Sequence, residues 1–323
     1  MLSRGQGREA SRGRCLITGA GGFLGSHLAE LLVSRGLSVF GTVRRTDRDL
    51  ERVDGTITLL PCDIRDRALV EAAVLKARPT LVFHLAAQSL PMLSWKDPES
   101  TFGVNVLGTQ HLLEAVRKAS PDSTVIVVCS SAEYGLGAPE EIPIQETKEL
   151  RPASPYGVSK VATDLLALLY WRTYGMKVVR VRPFPVIGSR KVGDVCSDFA
   201  QGIVAVERGA QPSLKVGNLA AVRDFLDVSD AVQALWLLAQ KGTPGEVYNL
   251  CSGVGHPVQE VLDILLSLAR VPVPVEADPD RLRPADEPEL IGDNSKLQAL
   301  GWRAERALPS ALTDILAYWR RQP

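Results

Sequence analysis

Neither sign of charge predominates in this 323-residue chain: Lys and Arg together number 37, and Asp and Glu also number 37. Without a surplus positive field to hold a polyanion, neither nucleic acid nor an anionic membrane is expected as a partner. Cysteine is scarce. Cys15, Cys62, Cys129, Cys196 and Cys251 are odd in number, scattered and never spaced as CxxC, so no disulfide framework is expected. They sit mostly inside apolar runs, as reduced core thiols do, which suits the cytoplasm. The four histidines, His27, His84, His111 and His256, form no HxxxH or HxH group, and no carboxylate cluster surrounds them, so no metal site is expected. No apolar run approaches the roughly 20 residues that span a bilayer. An Arg-rich opening is followed by a short strand and glycines instead of the apolar stretch of a signal peptide. Residues 1–12 read as a disordered tail.

What is present is apolar material in quantity. At 45% hydrophobic, a chain of this length exceeds the usual single-domain size, and one large domain with a smaller one is expected. Short β-branched runs alternate with helical patterns from residue 14 to about 182. Strands are predicted at 14–18, 38–43, 56–60, 80–85, 124–130 and 177–182, and helices at 23–35, 67–76, 99–119 and 155–174. That alternation specifies an α/β fold, a Rossmann-type doubly wound parallel sheet. Past Arg182 prolines become frequent and elements shorten, marking a smaller α/β substrate domain over 183–222 and about 252–323. The segment 223–251, with a helix at 229–240 and a strand at 246–251, is expected to return to the first domain.

The first strand runs straight into Gly19-Ala20-Gly21-Gly22-Phe23-Leu24-Gly25. Gly19 permits a tight turn, Gly22 lets backbone amides approach a pyrophosphate, and Gly25 allows the helix to pack closely on the sheet. The helix N-terminus that follows, starting with Phe23 and Leu24, offers unpaired N–H groups and a positive dipole end to phosphates. The second strand ends in Arg44 and Arg45 with no acid before Asp47, favouring NADP(H) over NAD(H), since a 2′-phosphate needs a cation. Asp63-Ile64 and Leu85-Ala86-Ala87 stand at carboxyl ends of strands, where adenine and the second ribose are expected.

Ser130 closes the fifth predicted strand, and Tyr156 and Lys160 stand four apart on the next helix, hence on one face. A nearby ammonium favours a phenolate, preparing Tyr156 for general acid–base work. Lys160 can also hold the nicotinamide ribose, and Ser130 can donate to a reacting carbonyl oxygen. These three are the candidate catalytic residues.

The motifs TGAGGFLG at 18–25, HLAAQS at 84–89, NVLGT at 105–109, SSAEYG at 130–135, SPYGVSK at 154–160 and RPF at 182–184 resemble the extended short-chain dehydrogenase/reductases, which act on nucleotide sugars. Stretches at 94–109, 196–200, 216–228, 283–297 and 301–302 are most similar to GDP-6-deoxy-D-mannose reductases and the related GDP-mannose 4,6-dehydratases. The resemblance implies a sugar-nucleotide substrate whose diphosphate is gripped by Arg223 and Arg283, with Arg190, Ser89 and Asn218 as further substrate contacts. Buried structural arginines paired with Asp224 or Asp286 are the competing expectation. It also implies a homodimer through a four-helix bundle of the 99–119 and 155–174 helices. The stripe Val161, Leu165, Leu168 and Leu169 suits that role or packing on the sheet.

Dehydratases of this group carry an acid just after the residue matched by Ser130, and elimination of water needs one. Here those slots hold Ser131 and Ala132, while Glu133 falls one position late and, on a strand-like path, points elsewhere. Pro185 replaces the Asn usual after RPF, which brings in a different keto-sugar as an alternative. The sequence therefore favours reduction of a 4-keto-6-deoxyhexose, GDP-4-keto-6-deoxy-D-mannose giving GDP-D-rhamnose. An NAD-dependent 4-epimerase is the enzymatic alternative, and a cofactor-binding regulator is the non-enzymatic one.

Overall fold

The computed structural model describes residues 13–44, 56–281 and 288–323. The expected tail at 1–12, Arg45, Asp47, Arg283 and Asp286 lie outside them. In chain order the elements are β1 (Arg14–Thr18), α1 (Phe23–Ser34), β2 (Ser38–Val43), β3 (Ile57–Pro61), α2 (Arg67–Ala77), β4 (Leu81–His84), α3 (Pro91–Lys96) and α4 (Pro98–Phe102). After a π-helical turn (Gly103–Leu107) come α5 (Gly108–Ala119), β5 (Thr124–Val128), α6 (Pro155–Tyr174), β6 (Lys177–Pro183) and β7 (Val186–Ile187). The remainder comprises α7 (Val195–Glu207), β8 (Leu214–Val216), β9 (Val222–Asp224), β10 (Leu226–Asp227), α8 (Val228–Lys241), β11 (Val247–Leu250) and β12 (Gly255–Pro257), then α9 (Val258–Ser267), β13 (Val275–Ala277), β14 (Glu289–Leu290), α10 (Ser295–Gln298) and α11 (Leu308–Arg321).

Seven strands form one parallel sheet in the order β11-β6-β5-β4-β1-β2-β3. The reversal of direction between β1 and β4 is the switch point at which open α/β sheets bind ligands. Both faces are covered, which is why the strands are mostly apolar, with a few buried polar side chains among them. Leu28 and Leu32 of α1 pack with Ala231, Leu235 and Leu238 of α8 against Ile17, Phe83 and Ile126. On the other face Val74 of α2, Leu112 and Val116 of α5 and Ala167 of α6 cover Leu16, Val82 and Val125. A separate core joins α7, α9 and α11 through Phe199, Ile203, Val261, Leu265, Leu312 and Ile315.

Two boundaries differ from the sequence reading. The return to the large sheet begins after Arg223, because β9 pairs with β12 and β14 in a three-stranded sheet of its own. Conversely Leu297 and Trp302, assigned by sequence to the substrate region, pack into the core beneath α1 and α8, and the Trp302 indole N–H donates to the Asp230 carbonyl.

The helix expected over 99–119 is interrupted. Asp97 caps α4, accepting the Ser100 N–H at 2.9 Å, and Pro98 occupies its first turn. In the π turn the Asn105 carbonyl accepts the Thr109 and Thr163 hydroxyls, which compete with the backbone donor of a regular helix. The α6 helix runs over its predicted span. Ser154 accepts the Gly157 N–H, Pro155 opens the first turn, and Gly175, at φ 67°, closes the last.

Candidate active site

Gly19 takes a left-handed φ of 73°, turning the chain out of β1. A Cβ there would lie 2.9 Å from the Ala86 backbone, and one on Gly25 would lie 2.2 Å from the Gly19 carbonyl oxygen, so both positions demand glycine. Gly22 is exposed, and a Cβ there would meet nothing closer than the Gly19 oxygen at 3.3 Å. No side chain caps α1 at Gly22, so its first amides face the open side of the loop. This cradle fits a dinucleotide pyrophosphate. Phe23 is half-buried, edge-on to His27 and beneath Lys191 Nζ, while Leu24 packs against the core.

Arg44 is exposed at the end of β2. Its charge reaches Asp63, whose carboxyl is held below its ordinary range, first by the hydrogen bonds from Arg65 and then by Arg44. The Ile64 side chain is buried against Gly108, so only its backbone is available to a ligand. Leu85, Ala86 and Ala87 follow β4 beside the glycine turn.

A buried polar chain fixes that loop. Ala86 N–H donates to Thr18 Oγ1, Thr18 meets His84 Nδ1 at 2.8 Å, and His84 Nε2 meets Thr109 Oγ1 at 2.8 Å. Because the Thr109 hydroxyl donates to the Asn105 carbonyl, it accepts from His84, which assigns the proton to Nε2. Asn105 continues the chain, donating to Ser159 Oγ and the Gln88 carbonyl and accepting the Gln88 N–H. Burial, reinforced by the Lys160 charge, holds the His84 pKa down at about 3. Spacing alone did not single out Thr18, His84, Asn105 or Thr109. Their signal is polarity inside or at the end of the apolar runs CLIT, VFHLAA and VNVLGT.

Ser130 lies just beyond β5, and α6 packs its first turn directly against the turn that follows. A Cβ on Gly157 would fall 2.6 Å from the Ala132 carbonyl oxygen. Lys160 is buried, its Nζ donating to the Val128 carbonyl at 2.7 Å, two residues before Ser130. Tyr156 is also buried. Its N–H donates to Ser94 Oγ and its carbonyl accepts the Ser159 hydroxyl, so its backbone is held at both ends. Lys160 Nζ and the first turn of α6, which carries Tyr156, thus lie at the carboxyl end of β5 next to Ser130 and the turn after it.

Glu133 does not follow the strand-like path expected of it. Ser130-Ser131-Ala132-Glu133 is an S-x-x-E capping box: Ser130 Oγ accepts the Ala132 N–H, and the Glu133 carboxylate accepts the Ser130 N–H at 2.9 Å. The local turn curls the acid back beneath Ser130, fully buried, with Arg182 on its other oxygen.

The substrate candidates are more dispersed. Ser89 and Asn218 are exposed, Asn218 accepting the Ala220 N–H. Arg190, in a left-handed backbone at φ 73°, turns its guanidinium onto α1, reaching Ser26 Oγ at 3.1 Å and Glu30 at 2.6 Å. That engagement leaves little of it for a phosphate. Arg223 stands opposite His256 in the β9–β12 pair and donates to the Val222 carbonyl. Its neighbour Asp224 is buried and accepts the N–H groups of Ser252, Gly253 and Gly292. A cavity of about 420 Å³ opens between α7 and β8, bordered by Asp198, Gln201, Leu214, Lys215 and Arg281.

With the glycine turn after β1, the seven-stranded parallel sheet, and Ser130, Tyr156 and Lys160 on adjoining elements, the chain has the make-up of an extended short-chain dehydrogenase/reductase. The chain belongs more narrowly to the GDP-mannose 4,6 dehydratase family, whose model matches residues 16–315. It is 33% identical over 309 residues to a GDP-6-deoxy-D-mannose reductase of Pseudomonas aeruginosa, covering 95% of this chain and 97% of that one. A GDP-mannose 4,6-dehydratase of Vibrio cholerae is 29% identical, covering 94% and 92%. The solved structure of RMD from Pseudomonas aeruginosa complexed with NADPH superposes with a TM-score of 0.82 at 30% identity, covering 95% and 99%. A Thermus thermophilus UDP-glucose 4-epimerase complex with NAD gives 0.86 at 31%, covering 95% and 99%.

Proposed function

We propose that this chain is an NADPH-dependent reductase of the C4 ketone of a nucleotide-linked 4-keto-6-deoxyhexose, converting GDP-4-keto-6-deoxy-D-mannose to GDP-D-rhamnose. Gly19, Gly22 and Gly25 hold the pyrophosphate, and Arg44 meets the 2′-phosphate. When bound, the dinucleotide supplies hydride to the ketone carbon. Tyr156 gives its proton to the carbonyl oxygen, Ser130 donates a hydrogen bond to that oxygen, and Lys160 holds the nicotinamide ribose and favours the phenolate left behind. Arg223 and Arg283 grip the diphosphate with planar guanidinium forks.

The observation that carries this reading is the state of the acids near Ser130. Ser131 and Ala132 offer no carboxylate, and both oxygens of Glu133 accept N–H groups deep beneath the site. A dehydration would lack its acid, whereas reduction needs only hydride and Tyr156. The likeness to the Pseudomonas aeruginosa reductase and its NADPH complex points the same way.

The test is absorbance at 340 nm with NADPH and GDP-4-keto-6-deoxy-D-mannose. Stoichiometric oxidation of NADPH is expected, with Tyr156→Phe lowering kcat by about 10²–10⁴-fold. No oxidation would overturn the proposal. The likeness to a UDP-glucose 4-epimerase in complex with NAD favours a second reading, which interconversion of UDP-glucose and UDP-galactose without net cofactor change would select.

The five cysteines are buried and unpaired, in keeping with the cytoplasm, and among the described residues no helix is long and apolar enough to cross a membrane. Exposed Val158, Leu165 and Leu169 on α6, with Phe102 and Leu107 before α5, support a homodimer through these helices.

A further inference from the structure

Ser130 and the pair Tyr156 and Lys160 stand on different elements, and hydride transfer needs their hydroxyls on one carbonyl oxygen. The strands and α6 bring them near each other, but a buried charged path runs between them as well. Glu133 accepts the Ser130 N–H through Oε1 at 2.9 Å and the Arg182 Nε–H through Oε2 at 2.9 Å. Arg182 Nε and Nη2 in turn reach Asp164 Oδ2 at 3.0 and 2.9 Å. Asp164 lies one turn beyond Lys160 on α6, and its other oxygen takes a guanidinium N–H of Arg180. The remaining Arg182 nitrogen, Nη1, donates to the Tyr134 hydroxyl and the Glu146 carbonyl.

Both acids are fully buried and both arginines nearly so. Two carboxylates facing two guanidiniums balance in charge, so a cation at the nearby donor atoms of Cys129, Glu133 and Asp164 is not called for. Burial, with Asp164 adding to it, pushes the Glu133 carboxyl upward, and Arg182 pulls it back. With N–H donors on both oxygens, the ionised form is the one that this geometry satisfies.

A capping box alone does not require a buried charge, since glutamine completes one equally well. What glutamine cannot do is accept from Arg182 with its second head atom, which would present N–H to N–H. We propose that Glu133 is a positioning residue: through Arg182 and Asp164 it sets the separation of Ser130 from Tyr156 and Lys160. The role rests on the ketoreductase reading above, because it concerns the approach of two hydroxyls to one carbonyl.

The experiment is a double-mutant cycle of Ser130→Ala and Glu133→Gln, assayed by NADPH oxidation. Glu133→Gln is expected to lower kcat by about 10–100-fold, the scale of a small misplacement of a reacting group, with KM for sugar nucleotide and NADPH within about twofold. In the Ser130→Ala background the same change should cost less than about threefold, since the residue it positions is already gone. Equal losses in both backgrounds, or an unchanged kcat with only a lower Tm, would overturn the role. Should Glu133→Gln fail to fold, Glu133→Asp keeps the charge one methylene short and should give an intermediate kcat; a wild-type kcat would refute the proposal. The Ser130 amide proton, observed in serine-labelled protein, supplies a readout without turnover: its bond to a carboxylate predicts a downfield resonance that Glu133→Gln moves upfield. An unmoved resonance refutes the bridge, whereas a protein with that signal that reduces no keto-sugar refutes the ketoreductase reading alone.

Discussion

His84 occupies a place where titration is suppressed. It has a hydroxyl at each ring nitrogen, almost no exposure, and a pKa held at about 3 by burial and the Lys160 charge. The unfolded chain returns this imidazole to about 6.5. Between those values the unfolded state binds a proton that the folded state refuses. Stability therefore falls as pH drops from about 6.5 towards 3, by about 1.4 kcal/mol per pH unit, and is unaffected by His84 above that window. His84→Asn should be less stable than wild type at pH 7.5 yet show a shallower loss on acidification, read from urea midpoints between pH 7.5 and 4.5. Parallel pH slopes would remove His84 from this account. Side chains of this kind were the least legible in the sequence. Ser130, Tyr156 and Lys160 stood out by spacing and order, whereas Thr18, His84 and Asn105 acquire meaning only from partners far along the chain.

Among elements, the β1–α1 unit was readable because Gly19 and Gly25 each answer a steric demand. Gly25→Ala tests that demand most directly, since its Cβ would sit 2.2 Å from a backbone oxygen that cannot swing away. The expected result is a loss of NADPH affinity of more than about tenfold with a lowered Tm, measured by fluorescence titration and thermal melting. Unchanged binding would mean that α1 can shift without disturbing the cradle. The stretch from 91 to 119 was less legible. An apolar periodicity continues across it, but Asp97, Pro98 and the threonine hydroxyls on the Asn105 carbonyl break the helix into pieces. Competition of this kind between side chains and backbone leaves no periodic trace. The turn after Ser130 was misjudged for a related reason, as the S-x-x-E pattern outweighs the strand that precedes it.

At the scale of the whole molecule, the doubly wound sheet and the return of α8 and β11 follow from apolar alternation and were legible. The assignment of 294–302 to the core beneath α8 was not, because a four-residue helix and a lone tryptophan carry no period. The outer face of α6 makes a further prediction. Leu165 and Leu169 are each 52% exposed, an apolar row without cover in a single chain. Leu165→Asp with Leu169→Asp should halve the mass measured by light scattering if this row joins two copies. A wild-type protein already monomeric at micromolar concentration would sink the homodimer.

The outermost strand of the large sheet, β11, is supplied from Val247–Leu250, long after β6, the strand it covers, has been made. On the ribosome, β6 therefore emerges with one row of amides and carbonyls paired only with water, and stays so until the elements from β7 to α8 have been synthesised. A nascent chain in that interval presents a parallel edge to its neighbours on a polysome. Nascent chains stalled between Pro183 and Val247 are therefore expected to associate more than chains stalled beyond Leu250, a difference that sedimentation of the stalled complexes would reveal.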